Sequence, residues 1–362
     1  MPIKEKSFRI GCGRYVQEPG ALAGLGGEIV RLGSTPLVVG GPTALSLTRE
    51  AAEASIAAVC KKYEFVTHPG TCNDERALAL AAYAKARGFD VIVGIGGGVM
   101  MDFAKLIAFY AKLPVVNVPT SSATCAAYTP MSVCYTPEGR TVGTRHYDYE
   151  VNAVLVDTAI LLHQPVRLLL AGVFDALAKF VEINQRYDAA ASNPLGLDWA
   201  YLLAKQSYAA LTELTEPCIA DMAAGRVSDT AEQVFFTAIA VTGIISGIAR
   251  GSNQCAMPHK FYENTRVLFH ESAKPCLHGE IVGVGLLLQN HYNGTPEEND
   301  GLRALMAKYA MPASITAVGV AKSEAALADY YERLSHSSAI DRGSAAECAR
   351  LRASLAYLWE LA

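Results

Sequence analysis

The sequence predicts an α/β fold in two parts, a doubly wound parallel sheet followed by an all-helical domain, and three features carry that expectation. Short β-branched runs alternate with helical patterns as far as Val156, as in a parallel sheet covered on both faces. Beyond Asp157 little reads as strand, and long helical periodicities take over. Within the first part, residues 89–135 hold strand, glycine turn, helix and strand in unbroken order, which is a parallel βαβ unit. The expected domains are therefore 1–160 and 161–362.

Taken in order, residues 7–14 are expected to form an edge strand and 20–32 a glycine-containing helix. Residues 35–39 form a short apolar strand that ends in Gly40-Gly41-Pro42, and 44–62 have helical spacing. A strand at 65–68 precedes Asn73, which is placed to cap the next helix. Residues 91–95 and 115–118 are apolar runs of the kind buried on both faces of a parallel sheet. The stretch 133–145, with Pro137-Glu138-Gly139 at its centre, reads as a β-hairpin. Helices are expected at 201–214, 231–248, 302–309 and 345–361.

Gly96, Gly97 and Gly98 stand between strand and helix. Without side chains there, an anion can approach the free N–H groups at the positive helix end, so the segment reads as a pyrophosphate cradle. Tight strand–helix packing is the alternative reason for these glycines. Asp102 and Lys105 follow one turn apart, either as part of that site or as a helix-surface ion pair worth a few tenths of a kcal/mol. The next strand leads into 119–124, PTSSAT, at a second strand end of the same sheet, where ligands of open α/β sheets bind.

In the helical half, Asp175 lies within LLLAGVFDALAKFVE. A buried carboxylate is costly unless paired, so Asp175 is either a metal ligand or a cap or surface residue. His259 and His278 are candidate partners, because two imidazoles and a carboxylate make an open zinc set with one position left for water or substrate. Their spacing is too long to show that they meet.

Composition narrows the class. The 362 residues are 51% hydrophobic and 18% charged, enough for two packed domains and too apolar for disorder. A net charge of −4 gives no basic excess for nucleic acid. No apolar leader and no uninterrupted apolar run of membrane-spanning length is evident, so a cytoplasmic protein with no membrane partner is expected. Nine scattered cysteines without a C-x-x-C pair form neither a disulfide framework nor a zinc knuckle. The apolar helical half makes a homo-oligomer plausible.

GGGVMMDFAK resembles the GGG-x-x-x-D-x-A-K element of the iron-containing (group III) alcohol dehydrogenases, and PTSSATCAAYTPMSVCYTPEG resembles the loop and hairpin that follow it in their glycerol dehydrogenase branch. LLAGVFDALAK resembles the family's L-x-A-G-x-x-D-x-L-A-K element, and HGE its last histidine element. Within that branch the chain is most similar to the hydroxycarboxylate dehydrogenases. The resemblance implies a dehydroquinate synthase-like fold, an NAD(P) cofactor and a divalent metal, zinc before iron or manganese. It implies cofactor contacts at Gly96, Gly97, Gly98, Asp102, Thr120, Ser121, Thr124, Met131 and Tyr135. It implies metal ligands at Asp175, His259 and His278, with His270 the rival to His259.

Two departures from the family pattern bear on the substrate. Cys125 stands where glycerol dehydrogenases carry an Asp that holds substrate hydroxyls, and Phe174 replaces a Gly, which would narrow the pocket. Loss of the carboxylate removes repulsion against an anion, which favours a small 2-oxo or 2-hydroxy acid over a polyol. Arg250, Lys260 and Lys274 are candidate anion partners, and His291 and Tyr128 candidate bases. No carboxylate follows the second strand to repel a 2′-phosphate, so NADPH is expected to be tolerated. A dehydroquinate synthase-like lyase and a non-catalytic nucleotide-binding protein are the alternatives. The lyase would need a denser cluster of Lys and Arg.

Overall fold

The computed structural model describes residues 10–249 and 257–361. Its sheet has six parallel strands, β1 (Tyr15–Glu18), β2 (Pro36–Gly40), β3 (Glu64–Thr67), β4 (Val91–Gly96), β5 (Val115–Pro119) and β8 (Ala153–Asp157), in the spatial order β1-β8-β5-β4-β2-β3. Every residue of β2, β4, β5 and β8 is buried, which explains why these strands read as continuous apolar runs. Helices α1 (Leu25–Val30), α2 (Pro42–Ala57), α3 (Asp74–Arg87), α4 (Gly98–Ala111) and α5 (Thr158–Leu161) connect or flank them. Leu25, Ile29, Ala52 and Ile56 meet Val38, Val93, Ile95, Val116 and Leu155 in one core. Burying each such branched side chain is worth roughly 1.5–3 kcal/mol. Asn73 caps α3 as expected, accepting from Arg76 N at 2.9 Å.

The edge strand differs from the expectation. It lies at 15–18, not 7–14, with Tyr15 opposite Val154 and Glu18 opposite Asp157; residues 7–9 fall outside the described part. Gly11 and Gly13 break the run before it, and Gly13 sits against Asn152 O, which a Cβ would meet at 2.8 Å. The expected hairpin is present as β6 (Met131–Tyr135) and β7 (Thr141–His146), antiparallel with a bulge at Cys134/Tyr135. Along β6, Ser132 and Cys134 are buried while Met131, Val133 and Tyr135 are half-exposed.

The remaining helices are α6 (Val166–Asn184), α7 (Leu195–Ala223), α8 (Asp229–Phe236), α9 (Thr242–Ala249), α10 (Met257–Leu268), α11 (His270–Ala273), α12 (His278–Asn293), α13 (Glu298–Lys308), α14 (Glu324–Ser335) and α15 (Ala345–Glu360). One π-helical turn, Thr237–Val241, joins α8 to α9, and Thr242 Oγ1 donates to Thr237 O across it. Two compact units result. The sheet unit comprises Arg9–Leu169 with Glu213–Gly247, and the helical unit comprises Leu170–Thr212 with Ile248–Ala362, within the described residues. The chain thus returns to the sheet unit after 160: Gln17 Nε2 donates to Glu232 O at 2.8 Å, and Thr158 Oγ1 to Glu232 Oε1 at 3.2 Å.

Asp229–Ala249 is long and apolar on average, but Asp229, Glu232 and Gln233 interrupt it, so the expectation of no uninterrupted apolar run of membrane-spanning length is unchanged. By length and composition alone this 21-residue helix, with mean hydropathy 1.5, is enough to cross a membrane, and 56% of its apolar window is buried inside the protein. Gly243 packs against the Tyr128 ring, and Val234, Phe235 and Ile239 are buried. These contacts are those of a core helix.

Candidate metal centre and nucleotide cradle

On α6, Asp175, Lys179 and Glu182 follow at i, i+4 and i+7 and share one face. They are 4%, 5% and 0% exposed in a helix that is otherwise largely apolar. Three ionisable groups are buried this way only if partners offset their desolvation.

The partners arrive because two glycines of α12 let backbones come together. A Cβ on Gly279 would overlap Ala171 O, so the first turn of α12 lies directly on the α6 backbone, one turn before Asp175. His278, the first residue of α12, thereby reaches Asp175 Oδ1 with Nε2 at 3.6 Å. Gly285 lies against Pro258, whose Cα a Cβ would meet at 2.7 Å, which draws in α10 and the adjacent His259. His259 Nε2 is 3.0 Å from Asp175 Oδ1. Asp175, His259 and His278 each offer a ligand atom, and these atoms lie within 4.8 Å of one another.

Glu182 sets the orientation of His259, with Oε1 2.6 Å from Nδ1. A neutral His259 that donates Nδ1–H to Glu182 turns the lone pair of Nε2 toward Asp175, the arrangement an outer carboxylate gives a metal-binding imidazole. Lys179 Nζ lies 3.2 Å from the same Nε2. Burial alone would lower the pKa of His259. The carboxylates of Glu182 and Asp175 outweigh it and the neighbouring Lys179, pushing the pKa up to about 9. Burial would raise Asp175, yet hydrogen bonds from His259 and His278 and the charge of Lys179 hold it well below the ordinary carboxylate range. Two imidazoles, an ionised carboxylate and an outer carboxylate suit a divalent cation.

In the sheet unit, β4 runs into α4 through the three glycines. Gly97 is the N-cap of α4 and no side chain caps that end, so the first N–H groups of the helix are available to an anion. Gly96 has a φ of 157° and packs on Met100, while a Cβ on Gly98 would meet Thr124 Oγ1 at 2.6 Å. Thr120 N donates to Gly96 O at 2.9 Å and Thr124 caps the turn Cys125–Ala127, so the loop after β5 is fixed against the glycine turn. A Cβ on Gly97 would come to 3.5 Å from Ser121 Oγ. Met131 and Tyr135 share the half-exposed face of β6.

Asp102 and Lys105 are not a surface pair. Lys105 is fully buried, 2.9 Å from Asp102 Oδ1, and donates to the carbonyls of Ala126, Thr129 and Met131. Asp102 Oδ2 accepts from Val133 N at 2.9 Å. The pair ties α4 to the loop and hairpin that carry Thr124, Met131 and Tyr135.

The other expected residues divide clearly. His259, not His270, joins the cluster; His270 lies on α11, 3.6 Å from Glu271. Phe174 is fully buried and packs on Gly283 of α12. Cys125 is buried in its 3-10 turn. Lys260 is paired with Glu263 at 2.7 Å and Lys274 is exposed, while Arg250 lies outside the described residues. His291, bonded to Ser354 at 2.9 Å, sits about 20 Å along α12 from His278, too far to act there as a base. Tyr128 is a packing residue, held between Gly11 and Gly243, and burial pushes its hydroxyl pKa up. Lys179 and Glu182 were missed, although three ionisable residues at i, i+4 and i+7 in an apolar helix were visible signals.

Residues 12–158 match the sequence model of the iron-containing alcohol dehydrogenases. The chain is 34% identical over 255 residues to a glycerol dehydrogenase of Citrobacter freundii, an alignment covering 69% of this chain and 68% of that one. It is 30% identical over 253 residues to hydroxycarboxylate dehydrogenase A of Escherichia coli K12, covering 69% and 68%. The crystal structure of glycerol dehydrogenase from Schizosaccharomyces pombe superposes with a TM-score of 0.82 at 21% identity, covering 98% of this chain and 90% of that one, which shows the shared fold.

Proposed function

The chain belongs to the iron-containing alcohol dehydrogenase family, an NAD(P)- and metal-dependent group, and on that premise we propose that it interconverts small 2-oxo acids and 2-hydroxy acids with zinc at Asp175, His259 and His278. The observation that carries the reading is the convergence of these three side chains around one point, backed by Glu182. A zinc ion held there would supply Lewis acidity to the substrate oxygen. The residues do the rest: Asp175 is kept ionised by its neighbours, and Glu182 fixes which nitrogen of His259 faces the centre. A bound nicotinamide cofactor would supply the hydride for the substrate carbonyl carbon, with solvent supplying the proton for its oxygen.

The uncapped α4 terminus, Gly96 to Gly98 and the loop at 120–124 support pyrophosphate binding. The ribose-side segment Gly40-Gly41-Pro42 carries no carboxylate, which supports acceptance of NADPH beside NADH. Cys125, in place of a substrate-binding carboxylate, supports an acid substrate. A second reading, a polyol or hydroxyketone substrate, is favoured by the similarity to a glycerol dehydrogenase at 34% identity. Leu195, Trp199 and Leu202 form an exposed apolar stripe at i, i+4 and i+7 on α7, which supports a homo-oligomer.

The test is nicotinamide absorbance with chelator-stripped protein, with and without zinc, against matched 2-oxo acids and hydroxyketones. Zinc-dependent oxidation of NAD(P)H by the acids sustains the reading. Turnover confined to dihydroxyacetone transfers it to the polyol class, and none on either panel overturns it.

A further inference from the structure

We propose that Lys179 is the specificity-determining residue of the metal centre and that its ammonium pairs with the carboxylate of the substrate. The proposal rests on the 2-oxo acid reading for its reaction and deepens it. Nζ lies 3.2 Å from His259 Nε2, itself 3.0 Å from Asp175 Oδ1, so the ammonium is inside the ligand cluster. With only 5% of the residue exposed, it is not a solvated surface charge. The helix spacing from Asp175 fixes it there, one turn along the same face of α6.

Charge decides what such a group is for. Counted over Asp175, Glu182 and Lys179 alone, with the histidines neutral, the charge is one negative, and a divalent cation on the triad would turn it to one positive. A buried excess charge is unfavourable unless compensated. A substrate carboxylate restores neutrality, whereas a neutral hydroxyketone or polyol leaves the excess in place. The other lysines considered do not fill this role: Lys260 is committed to Glu263 and Lys274 faces solvent.

The experiment compares wild type with Lys179→Met, Lys179→Gln and Lys179→Arg in the zinc-loaded full chain. Three quantities are read: zinc per chain, the ratio of kcat/KM for a 2-oxo acid to that for a neutral hydroxyketone, and the Kd of oxamate, a carboxylate that is not reduced, from NADH fluorescence. Removing one buried charge-assisted hydrogen bond is expected to lower the acid-to-ketone ratio and weaken oxamate by about 10–100-fold in the Met and Gln variants. Arg is expected to recover most of the oxamate binding, with zinc stoichiometric throughout. Equal losses on both substrates, or loss of zinc in both neutral variants, would mean a structural role and overturn the proposal. So would oxamate affinity that is absent in wild type or unchanged in the variants. If wild type turns over only hydroxyketones yet loses oxamate binding on Lys179→Met, the acid-substrate reading fails and the ammonium–carboxylate pair stands. If acid turnover and oxamate binding survive in Lys179→Met, the reverse holds.

Discussion

Replacing Glu182 with Gln isolates what a fully buried carboxylate does 2.6 Å behind His259. Gln keeps the size, and its amide oxygen still accepts Nδ1–H, so only the charge is lost. Removing an outer carboxylate from a metal-binding imidazole typically weakens metal affinity about 10–100-fold. The same charge also holds the His259 pKa up at about 9 in the metal-free protein, so at pH 7 a metal must first displace a proton. A gap of about two pK units is worth roughly 100-fold in apparent affinity. The two effects oppose each other near neutrality and separate above the pKa. Zinc competition against a chromophoric chelator should therefore give a variant-to-wild-type Kd ratio near one at pH 7, rising to about 10–100 at pH 9.5. The metal-free fold supplies a second check. Because the His259 pKa is raised above its ordinary 6.5, its protonation stabilises the fold fully below about 6.5, and that stability is lost as pH rises through about 9. Wild type should lose melting temperature over this window and Glu182→Gln should lose less. A Kd ratio that does not change with pH, or equal affinities at pH 9.5, would refute the reasoning.

Gly279→Ala should cost more than about 3 kcal/mol and abolish zinc retention, because its Cβ overlaps Ala171 O where neither backbone can yield; urea melts and metal analysis check this. Gly98→Ala forces Thr124 Oγ1 away from 2.6 Å, so NADH titration should show affinity at least about tenfold weaker, with zinc content unchanged. Asp90 accepts from Ser34 N at 2.9 Å and Thr35 N at 2.7 Å. Burial would raise its pKa, but these bonds lower it overall, so its stabilisation is present above the ordinary carboxylate pKa and is lost as pH falls through the depressed one. Asp90→Asn should cost about 1–2 kcal/mol at pH 7 in denaturant melts, and the gap to wild type should close in acid.

How much of this was legible depended on whether the signal was local. The interior strands β2, β4, β5 and β8 are buried on both faces, so composition alone marked them. The edge strand is mostly half-buried, and what places it at Tyr15–Glu18 is its pairing with β8, more than a hundred residues away. The return of 213–247 to the sheet unit has the same cause: Glu232 meets Gln17 and Thr158 through contacts no periodicity encodes. Asp175 was legible because a carboxylate in an apolar helix demands a partner. The family resemblance favoured His259 over His270, and what brings His259 to the cluster is Gly285 admitting Pro258 at close range. The Asp102–Lys105 spacing was read correctly but its burial was not, because the carbonyls of Ala126, Thr129 and Met131 reach it from the following loop.

The stripe on α6 explains why the centre can be both buried and receptive. Before a metal enters, the carboxylates of Asp175 and Glu182 face the ammonium of Lys179 and, below about pH 9, the imidazolium of His259, so these four groups balance. A divalent cation held by Asp175, His259 and His278 would take the place of the His259 proton, adding two positive charges and removing one, so that Asp175, Glu182, Lys179 and the cation would together carry one positive charge. For these groups an anion, such as a substrate carboxylate, would then restore neutrality. On the proposed reading, a centre neutral without a metal and cationic with one would link loading to substrate choice through Lys179, which stands one helical turn from Asp175 on α6.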